Sequence, residues 1–269
     1  MQRHRTQQGA AHAPATAAAA PPPGEPVAEG DLAGLPHPVR RYLTAMGVVG
    51  RPRTRSFRAH LGGRFRRGPG GRWMPCEAWQ VNTVDEIARL FRMRLLLGGA
   101  VPMWGWDTYR SGHGRMRGKL LGVVPVADGS GPEFDTSELV TWLNDAVLLA
   151  PGMLLDPRVR WEETGEDSFR VAVTDAGRTV SAEVLLGARD RPRDFRTEDR
   201  WADLPGGLVR ATWSTPVLDW TTVDGLPRLG RACALWHLPD GSRLVYAELS
   251  LLDLALDDAL DVDPGRTVR

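Results

Sequence analysis

The sequence predicts an α+β protein: a curved antiparallel β-sheet, half-barrel-like, with an N-terminal helix and one central helix packed on it. Three observations favour this fold class. Most of the chain between residues 56 and 256 consists of short segments in which apolar and polar residues alternate, as in strands with one buried face. Short turns rich in Gly, Pro and Asp separate these segments. Two segments instead have the three- and four-residue apolar spacing of an amphipathic helix.

The first of these helical segments is LPHPVRRYLTAMGV, residues 35–48. Its apolar side chains are spaced i, i+3, i+4 and i+7, which places them on one helical face. A proline in the first turn and a glycine after the last apolar residue mark the two ends. The apolar residues are Val39, Tyr42, Leu43 and Met46.

The chain after this helix changes to a period of two. Residues 56–65, 71–84, 100–109 and 115–126 are predicted as strands, whereas 86–97 is compatible with a strand or a helix. The sequence RSGHG between the last two strands has two glycines that favour a tight hairpin turn. It lacks the strand–loop–helix context of a phosphate-binding loop, because a strand follows it.

The second helix is predicted at residues 136–150. Asp135 is predicted as its N-cap, with Glu138 three residues later in a variant of the capping box. Leucines and valines form an apolar stripe along the helix, and Pro151 ends it. The stripe consists of Leu139, Leu143 and Val147, with Val140 beside them.

The C-terminal half is predicted as a β-meander. Alternating segments separated by turn sequences such as DGLP and PDGS favour an antiparallel barrel or curved sheet. Within one segment the charged residues Asp194, Arg196, Glu198 and Arg200 fall on one face, which we interpret as solvated and joined by cross-strand salt bridges. The predicted strands are 168–175, 178–186, 193–201, 208–223, 227–238 and 243–256.

The organisation of the chain is predicted as one domain between two tails. Residues 32–256 form the β-rich domain, residues 1–31 form a disordered tail rich in Ala and Pro, and the acidic residues 257–269 form a frayed tail. The N-terminal segment has no continuous apolar run typical of a secretory signal, and no stretch is long enough to span a membrane. We therefore expect a cytoplasmic protein, with export left open.

Composition argues against several classes of site. A net charge of +1 does not predict a nucleic-acid-binding surface. Cys76 and Cys233 are far apart in the sequence, and we interpret them as buried thiols rather than as a metal site or a disulfide framework. The histidines form no HxH or HExxH pattern, so no metal and no other cofactor is predicted.

Tryptophan makes up a large share of the aromatic residues, with ten tryptophans against three tyrosines and six phenylalanines. Flat apolar side chains on strands can line a cavity in a curved sheet, or they can fill an ordinary core. Polar side chains near the first hairpin could then fix the polar head of a ligand. The candidate ligand-binding residues are Trp73, Trp79, Trp104, Trp106, Asp107, Tyr109, His113 and Trp213.

Three functions remain open at this level. The leading hypothesis is non-catalytic binding of a hydrophobic small molecule or lipid in the concave sheet. One alternative is an enzyme that uses Asp107 and His113 as an acid–base pair across the hairpin, and another is a structural or interaction domain with a filled core. No catalytic residue is assigned, because Ser111 lies outside a GxSxG motif and no triad is recognisable.

Six segments, taken in their order and spacing, carry a family resemblance. They are LPHPVRRYL, WMPCEAWQ, WDTYRSGHGRMRGKLLGVVPVADGSGPEFDTSEL, APGMLL, VRWEE and VTDAGRTVSAEVLLGARDRPRDFRTEDRW. Over about residues 35–237 the chain resembles an uncharacterised bacterial family of unknown function. Its predicted meander is similar to the half-barrel of bacterial lipoprotein carriers, in which helices close a curved sheet over an apolar cavity. The chain departs from those carriers in having no clear signal peptide or lipobox cysteine.

Overall fold

A computed structural model describes residues 24–204 and 207–257, so the predicted tails at 1–23 and 258–269 lie outside the described residues. The helices are α1, His37–Ala45, and α2, Pro132–Leu149. The strands are β1 Ser56–Phe65, β2 Met74–Thr83, β3 Ala88–Leu97, β4 Val101–Arg110, β5 His113–Leu120, β6 Val124–Ser130, β7 Val159–Gly165, β8 Ser168–Asp175, β9 Arg178–Leu186, β10 Pro192–Thr197, β11 Trp201–Leu204, β12 Gly207–Arg210, β13 Thr212–Ser214, β14 Val217–Val223, β15 Leu226–His237 and β16 Arg243–Leu256.

Fourteen of these strands form one antiparallel sheet. Its order is β6-β5-β4-β3-β2-β1-β16-β15-β13-β10-β9-β8-β7, with β14 paired to β15, while β11 and β12 form a separate hairpin. The two end strands, β6 and β7, are not paired with each other in the described part of the chain, so the curved sheet is open. The predicted fold class, a mostly antiparallel curved sheet with two helices, is confirmed.

Helix α2 connects the two end strands of the sheet and packs against strands of both halves, including β4 and β5 on one side and β9 and β10 on the other. Fourteen of its eighteen residues are buried, so the helix has no long solvent-facing side. The predicted apolar stripe packs into the core, where Leu139, Leu143 and Val147 are each fully buried. The polar side of the helix therefore faces protein rather than water.

The core between the helices and strands β7 to β10 is built around aromatic rings. Tyr42 of α1 lies 5.2 Å from Phe169 between ring centroids, and Phe169 lies 5.6 Å from Trp161. The Tyr42 hydroxyl donates a hydrogen bond of 2.8 Å to the carbonyl of Val147 in α2. This bond satisfies a buried hydroxyl and ties the two helices together.

The hairpin between β4 and β5 confirms the prediction made for RSGHG. Ser111 and Gly112 have φ values of 52° and 81°, the positive pair that a two-residue type I′ turn requires. At position 114, glycine is required by a close contact with helix α2. A Cβ at this position would lie 2.3 Å from the carbonyl oxygen of Phe134, because β5 passes close to the first turn of α2.

The predicted start of the second helix is wrong. Helix α2 begins at Pro132, with Gly131 as its N-cap, and Asp135 is a buried residue of its first turn. The two Asp135 carboxylate oxygens accept hydrogen bonds from the Gly114 N–H at 2.7 Å and from Arg178 at 3.1 Å. Tertiary partners thus occupy the predicted capping group, and proline in the first turn starts the helix instead.

Two strand predictions need correction, one open alternative is resolved and one strand was not predicted. The ambiguous segment 86–97 is strand β3, and strand β7 was not predicted. The segment 115–126 divides into β5 and β6 at a turn where Leu121 and Gly122 have φ values of 54° and 76°. The segment 208–223 divides into β12, β13 and β14. An apolar run continues through the turn at Leu121, so alternation alone does not reveal that break.

Residues 24–31, assigned above to the disordered tail, belong to the folded domain. Val27 is 1% exposed, its N–H donates to the carbonyl of Arg51, and its own carbonyl accepts the Gly50 N–H, both at 2.8 Å. A 3-10 helix follows at Glu29–Leu32. Burial of two apolar side chains, Val27 and Leu32, outweighs the Ala- and Pro-rich composition around them.

Candidate functional site

Two adjoining cavities lie between α2 and the concave face of the sheet. Their volumes are about 250 Å³ and 160 Å³, far above the roughly 10–15 Å³ that one water molecule needs. A filled core therefore does not describe this part of the molecule. The residues that line both cavities are Phe65, Met93, Asp107, Arg200 and Tyr246.

The sheet side of the cavities is mainly apolar. Every second residue of neighbouring strands faces it, as shown by the antiparallel pair Leu95 and Met103 and by the pair Asp107 and Met116. Flexible methionine side chains give this wall a surface that adapts to different shapes. The apolar and aromatic residues of the larger cavity include Phe65, Met93, Leu95, Met103, Met116, Trp236, Leu244 and Tyr246.

The helix side of the cavities is polar. Residues of α2 at three-, four- and seven-residue spacings share one helical face, and the N-terminal part of this face lines the larger cavity while the C-terminal part lines the smaller one. These residues are Ser137, Glu138, Thr141, Asn144 and Asp145. The cavities therefore have one wall suited to an apolar chain and one wall suited to polar groups.

A buried ion network fixes the polar wall. Arg89 of β3 donates hydrogen bonds of 2.9 Å both to Glu138 and to Asp145. Gln80 donates to Asp145 at 2.5 Å and to Asn82 at 3.0 Å. The Arg89 and Glu138 side chains are 4% and 6% exposed, so this ion pair is almost completely removed from water. Such a pair is held by its hydrogen bonds and leaves an uncompensated charge if one partner is removed.

The pKa values of two carboxyl groups that line the cavities are raised. Burial raises the pKa of Asp107, and the positive charges of Arg89 and Arg200 only partly oppose this. Burial also raises the pKa of Glu138 to about 7, and the neighbouring Asp107 carboxylate adds to the shift. Burial by itself lowers the pKa of Arg89, but Asp145, Glu138 and Asp107 outweigh it, so Arg89 stays charged.

Arg200 is the second cation of the site. Its guanidinium carbon lies 4.0 Å from the ring centroid of Trp213 and 5.5 Å from that of Trp236, both within cation–π range. The Trp213 indole N–H donates to the Tyr246 hydroxyl at 3.0 Å, and the rings of Trp236 and Tyr246 stack at 6.0 Å. Arg200 thus stands in an aromatic cluster where the two cavities meet.

The prediction of a solvated charged face at residues 194–200 is wrong for the first and the last residue of that face. Asp194 is 5% exposed, and Arg200 lies beyond the end of β10, where the chain turns. The Asp199 N–H donates to the Thr197 hydroxyl at 3.0 Å, and the Trp201 N–H donates to the Ser137 hydroxyl of α2 at 3.2 Å. These bonds end the alternation and direct Arg200 toward the cavities instead of the solvent.

Three of the eight predicted ligand-binding residues lie at the cavities. Asp107 lines both of them and Trp213 lines the smaller, whereas Trp104 borders the larger but stacks its ring with that of Trp106 on the outer face of the sheet. Trp79 and Trp106 alternate with cavity-lining neighbours on their strands and line neither cavity. Trp73 lies outside both cavities and contacts the guanidinium groups of two arginines, each at 4.6 Å from its ring centroid.

The outer face of the sheet carries a row of stacked rings instead. Trp79 lies 5.3 Å from His60 and 6.3 Å from Trp104, and Trp104 lies 6.4 Å from Trp106. The Arg92 guanidinium carbon lies 4.1 Å from the ring centroid of Trp104. These tryptophans are partly exposed and stabilise neighbouring strands by cross-strand contacts, so their rings neither line a cavity nor fill the core.

The remaining two predicted residues have partners elsewhere. The Tyr109 hydroxyl is buried and donates to Asp175 at 2.7 Å, and burial, followed by this hydrogen bond, raises the pKa of Tyr109. The His113 side chain is 84% exposed and lies 4.0 Å from Asp135. Asp107 pairs with Met116 across the hairpin, so it lies on the sheet face opposite to His113. The structure does not bring Asp107 and His113 together.

Sequence reasoning missed Arg89, Glu138, Asp145 and Arg200 as site residues. One signal was present for the acidic pair: Glu138 and Asp145 are seven residues apart in α2, which places both on one helical face. Arg89 lies on the same face of β3 as Phe91, which is buried. Strand alternation therefore indicates that Arg89 is buried as well. No local signal marks Arg200, since its position depends on the turn after β10.

The cysteines are free thiols, with Cys76 buried and Cys233 partly buried. Burial raises the pKa of Cys76 to about 11. Across residues 24–204 and 207–257, no three His, Cys, Asp or Glu side chains are arranged to hold a metal ion. In the same part of the chain, neither helix is long and apolar enough to cross a membrane.

Comparison with solved structures finds distant likenesses. An outer membrane lipoprotein-sorting protein domain from Vibrio parahaemolyticus is 13% identical, with a TM-score of 0.41, over 77% of this chain and 87% of that one. A DUF1329 family protein from Desulfovibrio piger is 12% identical, with a TM-score of 0.44, over 83% and 91%. A LolA superfamily protein from Nitrosomonas europaea is 13% identical, with a TM-score of 0.42, over 82% and 94%.

Comparison with curated proteins finds no match. A family of unknown function, DUF6544, matches residues 25–249, which include both helices and nearly the whole sheet. The match also includes every residue that lines the two cavities. The chain therefore belongs to the family of unknown function DUF6544.

Proposed function

We propose that the protein binds a hydrophobic small molecule or lipid in the cavities between α2 and the concave face of the sheet. The observation that carries this proposal is the pair of adjoining cavities, about 250 Å³ and 160 Å³, with apolar side chains on the sheet wall. Largely pre-formed apolar cavities with a few convergent polar groups are the usual form of ligand sites. Removal of a ligand's apolar surface from water would supply about 25 cal/mol per Å².

The geometry favours binding over the enzymatic alternative considered above. That alternative required Asp107 and His113 to act as a pair, and the two lie on opposite faces of the sheet. Asp107 instead shares the cavity with Arg200 and Glu138. The proposal thus rests on Asp107 and Trp213 among the predicted residues, and not on Trp73, Trp79 or Trp106, nor on the ring of Trp104, which stacks on the outer face.

A cavity-filling variant tests the proposal. Met93 lines both cavities, whereas Leu90 lies on the same strand with its side chain on the opposite face. We expect the wild type to bind the uncharged fluorescent probe N-phenyl-1-naphthylamine. Met93→Trp should weaken this binding at least about tenfold, which corresponds to the loss of one well-buried apolar contact. Leu90→Trp adds a similar ring outside the cavities and should bind as the wild type does.

Two results would contradict the proposal. The first is no probe binding by the folded wild type, and the second is equal loss of binding in both tryptophan variants. Native mass spectrometry of protein purified from its own host provides a second measurement, in which a co-purifying lipid supports the proposal.

A further inference from the structure

Arg200 is a cation in which two of the three guanidinium nitrogens, Nε and Nη1, lack hydrogen-bond acceptors among the described residues. In the described part of the chain it forms no salt bridge, and its Nε and Nη1 atoms are shielded from solvent without a hydrogen-bond partner. Its contacts are the rings of Trp213 and Trp236, at 4.0 Å and 5.5 Å. These rings hold the cation in place but offer no acceptor to its donors.

Buried donors without partners are rare in proteins, and an unpaired guanidinium is costly to shield from water. The planar fork of arginine matches the two oxygens of a carboxylate or phosphate, with which it forms strong charge-assisted hydrogen bonds. Arg200 lines both cavities, so its guanidinium is next to the space assigned to the ligand. An anionic group in that space would supply the missing acceptors.

The other charged groups around the cavities leave Arg200 available. Arg89 is committed to Glu138 and Asp145 by hydrogen bonds of 2.9 Å. Asp107 is the acidic neighbour without such a bond, and burial raises the pKa of its carboxyl although the charges of Arg89 and Arg200 act to lower it. Over the whole lining of the larger cavity the charged residues balance, with four arginines, Arg66, Arg67, Arg117 and Arg200, and four acidic residues, Asp107, Glu133, Glu138 and Asp203.

We propose that Arg200 binds the anionic head group, a carboxylate or a phosphate monoester, of an amphipathic ligand whose apolar chain lies in the adjoining cavities. This inference rests on the proposed function, because it assigns the head group of the ligand that the cavities bind. It defines the ligand class as single-chain anionic amphiphiles and gives uncharged lipids of equal length a lower affinity.

The test compares ligands that differ only in the head group. Dodecanoate, dodecyl phosphate and 1-dodecanol are used below their critical micelle concentrations to displace N-phenyl-1-naphthylamine from the wild type. A hydrogen-bonded guanidinium should give at least one of the two anions a preference of about tenfold or more over the alcohol. The order of the two anions identifies the carboxylate or the phosphate as the better head group.

Arg200→Gln should lower the affinity for the anions much more than the affinity for 1-dodecanol, so that the preference for an anion is abolished. Arg92→Gln is the matched control, because Arg92 also lies over a tryptophan, at 4.1 Å from Trp104, but lines neither cavity. The control variant should keep the wild-type preference. Arg200→Lys retains the charge without the planar fork, and it should keep only part of the preference.

The outcomes separate this inference from the proposed function. Equal displacement by the alcohol and both anions would overturn the role of Arg200 and leave the binding cavity in place. An anion preference that survives in Arg200→Gln would also overturn it. If neither the probe nor any amphiphile binds the folded wild type, the proposed function fails and the inference fails with it. The wild-type comparison decides the head-group preference even if a variant does not fold.

Discussion

Arg89 is the residue on which the polar wall of the cavities depends. It is 5% exposed and donates to both Glu138 and Asp145, so its removal leaves two buried carboxyl groups without a cation. We expect Arg89→Met to lower the free energy of unfolding at pH 7 by about 3–5 kcal/mol. Urea denaturation of the wild type and the variant measures this change.

A double variant separates the lost attraction from simple loss of packing. Arg89→Met combined with Asp145→Leu removes the cation together with one of its acidic partners. Because the remaining uncompensated charge is smaller, the double variant should be more stable than the sum of the two single changes predicts. Strict additivity would show that Arg89 contributes by its volume alone.

Glu138 should make stability depend on pH near neutrality. Its pKa is raised to about 7 in the folded protein, mainly by burial, so the folded state binds its proton more tightly than the unfolded state does. The contribution of Glu138 to stability is greatest at a pH below the ordinary pKa of glutamate. This contribution falls as the pH rises toward 7, the pKa in the folded protein. The difference in unfolding free energy between the wild type and Glu138→Gln should therefore shift against the wild type between pH 5 and pH 7.5. A difference that is constant, or that shifts in favour of the wild type as pH rises, would contradict this assignment.

At the level of elements, the first turn of α2 is fastened to the sheet by Asp135. Its carboxylate accepts bonds from the Gly114 N–H and from Arg178, at 2.7 Å and 3.1 Å. Serine is as good an N-cap as aspartate, so Asp135→Ser would be nearly neutral if Asp135 were a cap. Because serine is too short to reach both partners, we expect a loss of about 1–3 kcal/mol from the unsatisfied groups. Thermal and urea unfolding distinguish the two interpretations.

The strands show how far local pattern predicts this fold. Alternation correctly predicted β1, β2, β8, β9, β15 and β16, because in each of them one face is buried and the turns carry glycine or aspartate. It did not reveal the turn at Leu121, where a non-glycine residue adopts a φ of 54° inside an apolar run. Local sequence does not contain the tertiary contacts that hold such a residue in that conformation.

The candidate site was less predictable than the fold, for a physical reason. Asp107 and Trp213 were predicted from residue type and from their place on predicted strands, and the same criteria also selected Trp79 and Trp106, which line neither cavity. Arg200 and Glu138 belong to elements whose orientation depends on contacts distant in sequence, such as the Trp201 N–H bond to Ser137. A charge that faces a cavity and a charge that faces water look alike in a sequence. Only the packing of α2 on the sheet distinguishes them.

For the whole molecule, α2 is the element that joins the two halves of the open sheet. It connects the end strands β6 and β7 and contacts strands on both sides of the half-barrel. One hydrophobic core cluster includes residues from α1, α2 and both halves, among them Phe57, Leu143 and Val184. We therefore expect the domain to unfold as a single cooperative unit, without separate transitions of the two halves.

Leu143→Ala tests this cooperativity. Leu143 is fully buried in α2, and its truncation should lower the free energy of unfolding by about 2–5 kcal/mol. Hydrogen exchange of the slowest amides, which open only by global unfolding, should then accelerate by the same factor in β2–β3 and in β8–β9. Leu252→Ala is the control, because Leu252 is 58% exposed and its truncation should change stability by no more than about 0.5 kcal/mol. Acceleration confined to β8–β9 would show that the β1–β5 half keeps its structure without α2, and that the cavities open by separation of the helix from a stable half-sheet.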